Sequence, residues 1–159
     1  MLKTCDTKSW MLAIGAALAV VCSVSPAWGA LGGDISSVQA DQLHMQGSLR
    51  TTSTAAYTVH EIQGANGMVV REYVSSASKV FGVAWQGPWR PDMRQILGNY
   101  FEQFGQAMQS RSKIRMGRRP VMIELPGLVV EQSGHARAFS GRAYVPEMLP
   151  TGVQIGEIQ

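Results

Sequence analysis

Two runs rich in β-branched and aromatic residues, Tyr57-Thr58-Val59-His60-Glu61-Ile62 and Met68-Val69-Val70-Arg71-Glu72-Tyr73-Val74, flank the tetrapeptide Gly64-Ala65-Asn66-Gly67. An Asn-Gly pair between two such runs turns the chain back as a β-hairpin, because both residues tolerate the left-handed backbone of a tight turn. No other feature restricts the fold so strongly. A third run over residues 79–86 extends the hairpin into an antiparallel meander, and Gly82 inside it marks a bulge or a close crossing by another element.

The segment Gly87-Pro88-Trp89-Arg90-Pro91-Asp92 ends the meander, and Asp92 caps the clearest helix in the chain. Met93, Ile96, Leu97, Tyr100, Phe101, Phe104 and Met108 recur at helical spacing as one apolar stripe, which requires a sheet to cover it. Beyond a basic loop, strands are expected over 121–125 and 127–132, a turn at Ser133-Gly134, and a last strand over 135–144. Upstream, Ser36 and Gln39 form a capping-box pattern for a short helix over 37–46, followed by a polar linker to residue 54. Pro146, Pro150 and Gly152 give residues 147–159 the character of an extended tail. The order β-β-β-α-β-β-β predicts an α+β fold, with one antiparallel sheet in two hairpin blocks packed against one long amphipathic helix. The core domain is expected over 55–146.

The first 29 residues have a different composition. Lys3 and Lys8 precede an uncharged stretch from position 10 to 24, and Ala27-Trp28-Gly29 places small residues before Ala30. That is the pattern of a secretory signal peptide cleaved after Gly29, and its apolar core is shorter than the ~20 residues that span a bilayer. Cleavage removes Cys5 and Cys22, the only two cysteines, and no transmembrane span is expected afterwards. The remaining 130 residues then carry a net charge of +2, too mild to specify a partner. The expected location is the periplasm or the extracellular space.

The mature chain contains no complete catalytic motif. His60-Glu61 lacks the second histidine of a zinc-protease helix, since position 64 is glycine. Ser140 lacks the flanking glycine of a nucleophile elbow, and no glycine-rich phosphate loop occurs. His44, His60 and His135 have no metal-ligand spacing, so neither a metal nor another cofactor is expected. Two surfaces could bind anions. Arg111, Lys113, Arg115, Arg118 and Arg119 form a run with no acid between Glu102 and Glu124, able to dock on an anionic surface or to serve as a solvated loop. A hairpin closed at 64–67 would set His60 opposite Arg71 and Glu61 opposite Val70. His135 and Arg137 could join the His60 face, and His60, Arg71, His135 and Arg137 would together cradle a carboxylate or phosphate. The bland reading of the same four residues is scattered, solvent-facing strand positions.

Several segments together carry a family resemblance. They include Leu31-Gly32, Val80-Phe81-Gly82-Val83-Ala84-Trp85-Gln86-Gly87-Pro88, Gly134-His135-Ala136-Arg137-Ala138-Phe139 and Gly141-Arg142-Ala143-Tyr144-Val145-Pro146. With these the chain resembles an exported proteobacterial family catalogued as domain of unknown function 2844. The resemblance implies a secreted one-domain protein and transfers no activity, cofactor or catalytic residue.

The sequence is therefore read as an exported, non-enzymatic binding or accessory domain. Its partner would be an anionic small molecule or an envelope polyanion. Nucleic acid is disfavoured, because no stacking aromatics interleave the basic run. Two alternatives stand beside this reading. One is a hydrolase or lyase using His60 or His135 with Glu61, Glu72 or Arg137. The other is an envelope protein docking through Arg111, Lys113, Arg115, Arg118 and Arg119.

Overall fold

A computed structural model describes residues 30–111 and 120–159. The expected signal segment and most of the basic run lie outside these residues. Seven strands form a single antiparallel sheet in the order β1-β2-β3-β4-β7-β6-β5. They are β1 (Ser48–Ser53), β2 (Tyr57–Gln63), β3 (Val69–Ser75), β4 (Val80–Gly87), β5 (Val121–Leu125), β6 (Leu128–His135) and β7 (Ala138–Tyr144). Helix α1 (Ile35–Met45) precedes the sheet, while α2 (Met93–Leu97) and α3 (Phe101–Arg111) lie between its two blocks. The α+β class read from the sequence is the class of the molecule.

The first departure is β1, where a polar linker was expected. Its residues Ser-Leu-Arg-Thr-Thr-Ser are all exposed at the sheet edge, so no apolar alternation announces the strand. Serine and threonine pair with β2 through backbone bonds and through contacts such as Ser53 Oγ to Thr58 Oγ1 at 3.3 Å. The cap of α1 also moves, from Ser36 to Asp34, whose carboxylate accepts from the Ser36 N–H at 2.9 Å.

The stripe from Met93 to Met108 is carried by two helices rather than one unbroken run. Gly98–Tyr100 forms a 3-10 turn between them, entered at Gly98 with φ +51°. The helices anchor to the sheet through Ile96, Leu97 and Phe104, all buried. Phe101 is only half-buried, with the Arg94 guanidinium 4.4 Å above its ring.

Strand alternation gives the sheet two covered faces. On the inner face Ile62, Val70, Val83, Trp85, Ile123, Val130 and Ala143 pack against Val38 of α1 and the anchors of α2 and α3. Residues 30–33 are sewn into this layer: Ala30 N–H donates to the Gln95 carbonyl, and Gly32 N–H to the Val80 carbonyl. The outer face carries Tyr73, Phe81, Ala84, Val129 and Tyr144. It is covered by the C-terminal segment, which was expected as an extended tail. That segment instead makes two short 3-10 turns, Pro146–Met148 and Ile155–Glu157, and delivers a fully buried Ile158.

Both readings of Gly82 hold. Phe81 is the extra residue of a bulge, since Tyr73 pairs with Gly82 and Val74 with Val80. A Cβ on Gly82 would also sit 2.9 Å from Cδ1 of the crossing Ile158. Among the described residues no helix is long and apolar enough to cross a membrane.

Candidate functional site

The loop of the first hairpin is one residue longer than a turn closed at 64–67 implied. Gly64 N–H donates to the Met68 carbonyl, leaving Ala65, Asn66 and Gly67 as a three-residue loop. Asn66 Oδ1 accepts from the Met68 N–H, and Gly67 closes the loop at φ +81°. An odd loop shifts the register by one, and a one-residue slip sends each side chain to the opposite neighbour. His60 therefore pairs with Glu72, not Arg71, and Glu61 pairs with Arg71, not Val70.

The consequence for the four-residue set is separation. His60 points into the helix-covered face, 8% exposed, with Nδ1 3.1 Å from Thr51 Oγ1, and burial lowers its pKa. Arg71 lies on the outer face, where its Nε donates to Glu61 at 2.7 Å and its Nη1 to the Gln159 carbonyl at 3.2 Å. It acts as a clasp for the C-terminal segment. Arg142 does the same, donating to Glu131 at 2.8 Å and to the Ile155 carbonyl at 2.9 Å.

The second hairpin also turns at a different place. Strand β6 continues through Ser133-Gly134 to His135, which pairs with Ala138, so Ala136-Arg137 is the turn and Arg137 takes φ +65°. Gly134 mimics a turn signal for a packing reason: a Cβ there would lie 2.7 Å from Cδ1 of Phe139. By strand parity His135 falls on the outer face and His60 on the inner one. The two histidines do not meet, and neither shares a site with Arg71.

His135 and Arg137 do share a site with each other. They line a groove of about 1000 Å³ where the ends of β4, β6 and β7 meet the first hairpin loop. Gln86, Ser133, Ser140 and Phe139 complete its polar and aromatic wall, and no carboxylate is among its lining residues. Arg90 stacks 5.6 Å above the Phe139 ring. Arg137 supplies a permanent positive charge and five donors, while His135 and the two serines supply further hydrogen-bonding atoms. Trp85 is core and Trp89 is 60% exposed. Arg111 ends α3, and its side chain, with Lys113, Arg115, Arg118 and Arg119, lies outside the described residues.

A second constellation escaped the sequence reading. Glu72 is wholly buried, and neither of its carboxyl oxygens receives a hydrogen bond from a donor group. Its polar neighbour is the carboxyl of Asp41 on α1, itself 6% exposed and accepting from Gln95 Nε2 at 3.1 Å. Burial, and then the charge of Asp41, pushes Glu72 well above the usual carboxylate range; burial also raises Asp41. The sequence signal was present. Val70, Glu72 and Val74 occupy successive inward positions of one strand, so the acid stands where an apolar side chain belongs. Among the described residues no three His, Cys, Asp or Glu side chains converge to hold a metal ion.

The sequence model of one family, described as a protein of unknown function (DUF2844), matches residues 27–158. No curated protein and no solved structure matches the chain.

Proposed function

The chain belongs to the DUF2844 family, and on that premise we propose that it is an exported, non-enzymatic binding domain that captures an anionic group in the groove at the hairpin ends. The observation that carries this reading is the charge of that groove: Arg137 and His135 line it and no carboxylate does. An acidic ligand entering there meets donors without a competing anion. The shallow, strand-built wall suits a carboxylate or phosphate presented on a larger molecule, such as an envelope polyanion. Export is supported by the signal pattern of residues 1–29, with cleavage expected before Ala30.

Calorimetric titration with citrate and with a short oligogalacturonide tests the reading. Saturable binding that weakens with salt is expected, with a loss of about tenfold in affinity for Arg137→Ala, the size of one charge-assisted hydrogen bond. The double variant Glu61→Gln, Arg71→Gln should bind as the parent does. If binding instead vanishes only when Arg115, Arg118 and Arg119 are neutralised, the groove is not the site.

A further inference from the structure

The acid pair lies away from the groove and needs an explanation of its own. Two carboxyls that face each other in a buried layer cannot both be ionised without strong repulsion, and neither can make the other a hydrogen bond unless a proton stands between them. We propose that Asp41 and Glu72 hold one proton in common, and that this proton latches α1 to the sheet, so that alkaline pH releases the helix.

The placement of each partner supports a latch. Glu72 sits on β3, which is paired on both sides by β2 and β4, whereas Asp41 belongs to the 11-residue helix α1. Ser37, Val38 and Asp41 of that helix are buried, and Met45 packs half-covered against the same core, so Val38 and Met45 are its apolar anchors. The polar link adds to these two anchors. Gln95 donates to Asp41 from α2 and braces the same carboxyl from the other side.

The charged and titratable surroundings do not supply a substitute. His44, on α1 itself, favours the ionised form of Asp41. His60 on β2 pairs with Glu72 and is held toward its neutral form by burial, and β4 presents Val83 there. Arg90 and Asp92, at the entry to α2, line a cleft of about 330 Å³ with Asp41, and their opposite charges offset each other. No cation among these donates to Glu72, so the shared proton has no replacement when it leaves. Because both groups hold their proton more tightly in the folded state than in the unfolded chain, the latch is complete at acid pH. It is lost as pH rises above the ordinary carboxylate range and through the raised value.

Hydrogen exchange of the full chain at about pH 5 and about pH 9, corrected for intrinsic rates and normalised to β6 and β7, tests the latch. Amides of α1 should lose at least about tenfold of their protection at the higher pH, the change that one unit of pH difference in a titration represents. Glu72→Gln, which supplies a permanent donor to Asp41, should keep α1 protected at both values. Asp41→Asn should do the same. An infrared band of a protonated carboxyl near neutral pH, absent in Glu72→Gln, reports the proton itself without requiring any variant to be more stable. Equal α1 protection at both values in the parent chain, or a parent spectrum with no such band near neutral pH, would overturn the proposal.

Discussion

Gly141 shows how closely individual residues are fitted. It lies on β7 beneath Trp85, and a Cβ there would collide with the indole ring and stand 2.5 Å from the Glu131 carbonyl oxygen. Neither neighbour can withdraw, because Trp85 is core and the carbonyl belongs to the sheet ladder. Gly141→Ala should therefore destabilise the fold by about 1–3 kcal/mol in chemical denaturation, the ordinary cost of overpacking. An unchanged midpoint would mean that the indole is free to shift. Residue-scale reading of the sequence succeeded where one side chain has one use and failed where it has two. Asn66-Gly67 was correctly placed in a hairpin loop, but the loop length that sets the register depends on which residues close it. Gly134 resembled a turn glycine because a glycine needed for close packing and one needed for φ freedom look the same in a sequence.

At the scale of elements, the C-terminal segment is the clearest case of structure hidden from pattern. Its two 3-10 turns are too short to carry a period, and its single deep anchor is Ile158. The contacts that hold it are long-range: Tyr73 Oη donates to the Gln159 carbonyl at 2.9 Å, and Tyr57 Oη to Glu157 at 2.8 Å. The Glu157 carboxylate, in turn, pushes the Tyr57 hydroxyl up to about 12. Without this strap Phe81 and Tyr73 would face water. Ile158→Ala is expected to cost about 2–5 kcal/mol and to speed exchange in β3 and β4, as loss of a fully buried side chain does. A cost below about 0.5 kcal/mol would show that the strap contributes nothing to the sheet. The helices were more legible because the apolar stripe spans four turns. Even so, the stripe could not reveal that Gly98 divides it, which is why Phe101 is half-covered and Phe104 is the buried anchor.

Across the whole molecule, the two covered faces explain why the fold class was readable while the site was not. Sheet and helix periods are collective signals that many residues share, whereas a site depends on which few side chains a register brings together. The one-residue slip at the first hairpin moved Arg71 to the strap and paired His60 with Glu72 in the interior. Buried titratable groups then give the molecule two opposed pH dependences. His60, with its pKa lowered, contributes stability at neutral pH that is lost as pH falls through the lowered value. The acid pair contributes stability that is lost as pH rises through its raised value. The two windows overlap below the ordinary histidine range, where the slopes oppose each other, so above that range the denaturation midpoint falls with rising pH through the acid pair alone. Glu72→Gln should remove that fall and His60→Gln should leave it in place; a fall that persists in Glu72→Gln would contradict the assignment.

We propose the groove at the hairpin ends as the place where this protein meets its ligand. Titrating isotopically labelled protein with a short oligogalacturonide and following backbone amide resonances tests it most directly. Shifts concentrated at Gln86, Gly134, His135, Arg137 and Ser140, and absent in Arg137→Ala, are the predicted result. Shifts confined to residues 111–119, or no saturable shifts at any residue, would contradict it.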